Sequence, residues 1–143
     1  MDFNKPAFAV ALLDTTPDAV IYADASGTIL FWNQGAARIF GFAAAEAIGQ
    51  PLDIIIPETL RARHHAGHGK TMRTGETSYG AGETLAVPAL RKDGSRISVE
   101  FTIVPFRDET GAMAGIAATL RDVTPRFEEL RALRRRVADL KPG

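Results

Sequence analysis

The sequence predicts an α+β domain in which an antiparallel sheet is buried on one face by short helices. Two observations carry this prediction. Runs rich in β-branched and aromatic residues, such as Ala19-Val20-Ile21-Tyr22 and the alternating Ile97, Val99, Phe101, Ile103, are bounded by glycine turns. Between them lie stretches with helical spacing, each closed by a glycine. Pro6 to Asp14 reads as a short amphipathic lead-in helix carrying Phe8, Leu12 and Leu13, ended by Thr15-Thr16-Pro17. Ala19–Tyr22 and Thr28–Trp32 then form a hairpin across Asp24-Ala25-Ser26-Gly27. Asn33 caps a helix from Gln34 to Phe40 stopped by Gly41, and a second, Ala43 to Ile48, stops at Gly49. After the segment 57–75, strands are expected from Leu85 to Arg91, through Ile97–Ile103, and from Gly115 to Val123, with turns at Lys92-Asp93-Gly94-Ser95 and Glu109-Thr110-Gly111.

At 143 residues the chain makes one core-bearing domain. The expected division is a lead-in helix over 1–14, the domain proper over 15–124 and a terminal helix over 125–143. A net charge of +0 with 24% charged residues implies neither nucleic acid nor an anionic membrane as partner. The start shows no basic region followed by an apolar run, and no stretch approaches the ~20 apolar residues of a membrane span, so a cytoplasmic location is expected. The absence of cysteine excludes disulfides, thiolate metal sites and sulfur-linked chromophores. No serine has an evident base partner and the carboxylates are scattered, so no enzyme is expected.

All three histidines fall in Arg61-Ala62-Arg63-His64-His65-Ala66-Gly67-His68. Pro57-Glu58 opens a helix there, Leu60, His64, Gly67 and Thr71 recur at helical spacing, and Thr74-Gly75 closes it. Imidazole is the commonest metal ligand, and Gly67 leaves a gap beside His64 into which a planar group such as haem could come close to the backbone. Two other readings stay open: solvated surface histidines, and zinc on His64 and His68 at i, i+4, for which no third ligand is apparent.

From Pro125 onward, Leu130, Leu133, Val137 and Leu140 follow a 3-4-3 spacing amid Arg131, Arg134, Arg135 and Arg136. So short an amphipathic helix needs either its own sheet or a second copy to hold it.

The hairpin followed by Phe31-Trp32-Asn33-Gln34-Gly35-Ala36-Ala37-Arg38-Ile39-Phe40-Gly41-Phe42 and Glu46-Ala47-Ile48-Gly49 resembles the opening half of a PAS domain. Arg91-Lys92-Asp93-Gly94-Ser95 and Arg121-Asp122-Val123-Thr124 resemble its closing half. The resemblance implies a five-stranded antiparallel sheet with short helices on one face, flanked by lead-in and signalling helices, in a sensory or dimerisation module.

Within that family, Ile56-Pro57-Glu58-Thr59-Leu60-Arg61-Ala62-Arg63-His64 resembles the helix of the FixL-type haem-binding oxygen sensors that supplies the proximal iron ligand. The resemblance implies haem b on His64, as a neutral imidazole whose other nitrogen donates to a carbonyl or water. It places Lys70 near a haem propionate, and Val87, Phe101 and Ile103 around the haem with the last two as an apolar ceiling. Leu85 stands at or next to the place where those sensors carry an oxygen-binding arginine; Tyr79 offers a hydroxyl nearby. The implied signal is a diatomic gas (CO, NO or O2) or redox state. The implied partners are a second copy of the chain and a downstream kinase or cyclase, in cis or trans. A haem-free interaction module and a non-covalent FAD or FMN site, with Trp32 as a conceivable neighbour but packing as its expected role, remain the alternatives.

Overall fold

The computed structural model describes residues 2–76 and 85–140, with Leu85 and Phe127 described in backbone only. The first helix, α1 (Lys5–Thr15), starts where the Asn4 side chain accepts the N–H of Ala7. Phe8, Val10 and Leu12 on it are all exposed. The one-sided helix expected from sequence is therefore not what forms. Apolar residues from Ala7 to Leu13 fall on every side of the helix, and α2 meets it only at its end, where Leu13 is half-buried and its carbonyl accepts from Asn33.

Strands β1 (Ala19–Asp24) and β2 (Ile29–Trp32) pair as a hairpin. Asp24 shapes the turn by accepting the N–H groups of Ser26 and Thr28 at 3.0 Å each. Next come α2 (Gln34–Phe40) and α3 (Ala44–Ala47), the latter shorter than expected. The capping residue Asn33 is buried, and it does more than cap. Its Oδ1 accepts from Ala36 and from Val20 of β1, while its Nδ2 donates to the carbonyls of Leu13 in α1 and of Asp18. One amide thus ties three elements together. Gly35 is required beside it, because a Cβ there would lie 2.0 Å from the Asp18 carbonyl oxygen.

A 3-10 turn (Leu52–Ile55) straps back onto the hairpin through Leu52 N–H to the Gly27 carbonyl and Ile29 N–H to the Gln50 carbonyl. A further 3-10 turn (Glu58–Leu60) leads into α4 (Arg61–Thr74). Gly75 ends α4 with φ 74, a left-handed conformation cheap only for glycine. The remaining strands are β3 (Leu85–Leu90), β4 (Arg96–Arg107) and β5 (Met113–Asp122). The sheet is five-stranded and antiparallel, in the order β2-β1-β5-β4-β3.

Side chains alternate across the sheet, so Ala19, Ile21, Val99 and Leu120 share the inner face with Trp32, Ala36, Phe40 and Ile55 from the hairpin and helices. Trp32 is wholly a packing residue: its Nε1 donates to the Phe42 carbonyl at 2.9 Å and its ring lies against Phe40 and Phe42. The outer face carries Val104 and Phe106, both about half exposed, with the Phe106 ring edge-on to Tyr22. The last helix, α5 (Thr124–Leu140), leaves the sheet beside a Glu100–Arg126 ion pair, and its residues Leu130, Leu133, Val137 and Leu140 are exposed. It is therefore not packed along its own sheet. Among the described residues no helix is long and apolar enough to cross a membrane.

Candidate functional site

The three imidazoles project from α4 toward the β1–β2 turn and the 3-10 turn at Leu52–Ile55, where they line a pocket of about 230 Å³ together with Ser26, Leu52 and Asp53. Their environments differ. His65 is exposed and its Nε2 meets the Asp53 carboxylate at 2.6 Å. His68 Nε2 donates to the carbonyls of Asp24 and Ala25 at 3.1 and 3.2 Å. The His64 ring stacks on His68 at 6.3 Å between centroids and 26° between planes.

His64 is half-buried, and its Nδ1 is buried with no hydrogen-bond partner among the described residues. Burial, followed by the neighbouring His68 and His65, pushes its pKa down, with a smaller opposing pull from Asp53. The result is a neutral imidazole, the form that ligates a metal. The expected partner for its second nitrogen is absent from the described residues. Among those residues, too, no group of three or more His, Cys, Asp or Glu is arranged to hold a bare metal ion, so His64 and His68 find no third zinc ligand.

The other expected site residues are only partly gathered. A Cβ added to Gly67 would meet nothing within 4 Å among the described residues, and Gly67 does not line the pocket that His64 shares with its neighbours. Lys70 is exposed. Val87 and Phe101 are half-buried against the core, and Ile103 follows Phe101 on the same face of β4. None of these strand residues lines the pocket that His64 shares with its neighbours. Leu85 stands opposite Phe101 in the β3–β4 register, and Tyr79 lies outside the described residues. Sequence reasoning missed Asp53 and the Asp24 and Ala25 carbonyls as fasteners of α4. They lie 12, 44 and 43 residues from their histidines, and no local spacing relates them.

A haem would need a donor nitrogen and room. The donor chemistry fits, since His64 is neutral and its buried nitrogen is unpartnered. The pocket it lines is smaller than the ~300–1,000 Å³ typical of ligand sites.

A five-stranded antiparallel sheet in the order β2-β1-β5-β4-β3, with short helices crossing its inner face between β2 and β3, is one topology among few. Residues 7–123 match the sequence profile of the PAS fold. The chain belongs to the PAS family. PAS domains are sensory and signalling modules, and relatives bear this out. The chain is 32% identical over 114 residues to the sensor protein FixL of Bradyrhizobium diazoefficiens, covering 80% of this chain and 22% of FixL. It is 38% identical over 126 residues to an uncharacterised protein of Azorhizobium caulinodans, covering 87% of this chain and 17% of that protein. The chain thus spans about a fifth of the length of these relatives. The crystal structure of the PAS domain of a Colwellia psychrerythraea protein superposes with a TM-score of 0.74 at 24% identity, over 85% of this chain and 99% of that one.

Proposed function

We propose that this PAS domain is a sensory module that binds haem b through His64 and responds to a diatomic gas or to the redox state of the iron. The observation that carries the reading is the His64 ring, held neutral by burial with its Nδ1 unpartnered. Similarity to FixL and the FixL-like helix sequence around His64 support it. A haem would supply an iron with one open coordination position; the chain's own residues decide what reaches it. Val87 and Phe101 pack against the core on the inner face of the sheet, with Ile103 on the same face of β4, and would offer an apolar wall to the group, while Lys70 would offer a point charge to a propionate.

The small pocket at His64 means that α4 must shift to admit a haem, and the contacts such a shift disturbs are His65 to Asp53 and His68 to the β1–β2 turn. We place the dimer contact on the exposed apolar residues of α1, the outer sheet face and α5, which none of the described elements covers. The output passes to a kinase or cyclase, in cis or in trans. Haemin titration tests the reading: a one-to-one Soret band is expected, lost in His64→Ala and kept in His65→Ala and His68→Ala. Absence of any Soret band leaves the haem-free interaction module as the function, and loss in His68→Ala alone moves the ligand to His68.

A further inference from the structure

Helix α4 is fastened to the rest of the fold with little apolar packing. Thr71 is its one buried residue, and it lies in the last turn. Further back the helix meets the hairpin and the 3-10 turn at Leu52–Ile55 through imidazoles. His65 Nε2 bonds to Asp53 at 2.6 Å, and His68 Nε2 to the carbonyls of Asp24 and Ala25 at 3.1 and 3.2 Å. A carboxylate and a carbonyl only accept, so each imidazole donates here. His65 with Asp53, and His68 with Ala25, all line the His64 pocket, so these bonds tie α4 across it.

The helix is weak between these fasteners. Gly67 and Gly69 stand in its middle, and space demands neither. A Cβ at Gly67 would meet nothing within 4 Å among the described residues, and one at Gly69 would meet only the movable end of Arg73, at 3.4 Å. Glycine without such a demand costs a helix backbone entropy that alanine would spare. The far end differs: a Cβ at Gly75 would run into the Arg107 guanidinium, which itself donates to the Gly111 carbonyl. The end of α4 is packed, whereas its middle hangs on two polar contacts and a half-buried His64.

We propose that His65 and His68 are positioning residues that latch α4 over the pocket, and that release of their contacts sets the rate at which haem reaches His64. This deepens the haem reading above and rests on it. Ligation stays with His64, and its neighbours govern access. A ligand that enters only through an opening binds at a rate that follows the open fraction, and that fraction rises when the bonds holding the closed form are cut.

Amide hydrogen exchange of the full chain without haem reads the latch directly. His65→Ala combined with His68→Ala should speed exchange over residues 61–74 by roughly tenfold and leave β4 and β5 unchanged. Alanine favours the helix, so propensity alone would act in the opposite sense. Asp53→Ala removes the His65 contact while leaving the sequence of α4 intact, and should speed the same amides; Gly67→Ala should slow them. On rapid mixing with haemin, the double variant should develop its Soret band roughly tenfold faster than the unmodified protein. Unchanged exchange in α4 overturns the latch while a Soret band keeps the haem reading. Faster exchange with an unchanged rate of haemin binding overturns the control of entry. Exchange that rises across the sheet as well shows a double variant that has lost its fold, and Asp53→Ala then decides between the same outcomes. Absence of a Soret band in every protein overturns the haem reading, and the access role with it, whatever the exchange shows.

Discussion

At the residue scale, His64 and Asn33 show burial acting on polar side chains in opposite ways. His64 is half-buried without a hydrogen bond, so its charged form is disfavoured and its folded pKa lies below the ordinary imidazole value of about 6.5. As pH falls, the unfolded chain therefore takes up this proton first. The stability tied to neutral His64 is complete above about pH 6.5 and declines below it, until the lowered folded pKa is passed. In the haem-free protein, urea unfolding followed from about pH 7.5 to pH 5 should show that decline, and His64→Gln should flatten it. An unchanged slope in the variant would assign the dependence to another group. Asn33 is buried with its amide satisfied four times. Asn33→Ala strands two N–H groups and two carbonyls near α1, β1 and α2, and should cost about 3 kcal/mol in urea unfolding. A loss below about 1 kcal/mol would mean that water replaces the amide with little penalty.

At the element scale, the helices and hairpins follow from local chemistry, whereas their coverage does not. Asn33, Gly41 and Gly75 mark helix ends in the sequence and do so in the structure. The carboxylates of Asp24, Asp93 and Asp108 each accept hydrogen bonds within their own turns, which lowers their pKa values, with nearby N–H and hydroxyl groups as the cause. By contrast, the apolar residues of α1 suggest a buried stripe that does not exist, because only neighbours can decide which side of a helix is covered. The register between β3 and β4 sets Leu85 opposite Phe101, and the family resemblance puts Leu85 at or next to the place of an oxygen-binding arginine. A charged donor stabilises bound oxygen by about 1.5–3 kcal/mol and carbon monoxide by much less, so the haem-loaded protein should favour CO and NO. Leu85→Arg should lengthen the lifetime of the oxygenated spectrum at least about tenfold; no change would place position 85 away from the iron.

At the scale of the whole molecule, the inner face of the sheet is filled while apolar residues of the outer face, α1 and α5 stand exposed: Val104, Phe106, Phe8, Val10, Leu12, Leu130 and Val137 among them. Surface of that kind suits the dimer contact proposed above. Removing residues 125–143 should weaken the proposed dimer by light scattering yet leave the cooperative urea transition of the sheet in place, since among the described residues α5 meets the sheet near its root, at Thr124 and Arg126. A truncated protein that no longer unfolds cooperatively would make α5 part of the core.

Strand alternation, glycine turns and capping residues are local signals, and from them the sequence alone determined the α+β class, the element order and the concentration of imidazoles on α4, while the PAS fold came from the resemblance of its motifs to that family. The tertiary structure decided which imidazole is desolvated. His64, His65 and His68 differ little as residues in a helix. They part because Asp53 stands 12 positions from His65, and the Asp24 and Ala25 carbonyls 44 and 43 positions from His68, while the buried Nδ1 of His64 bonds to none of them. Proximity of that kind is set by how the hairpin and helices pack, which no spacing along the chain records.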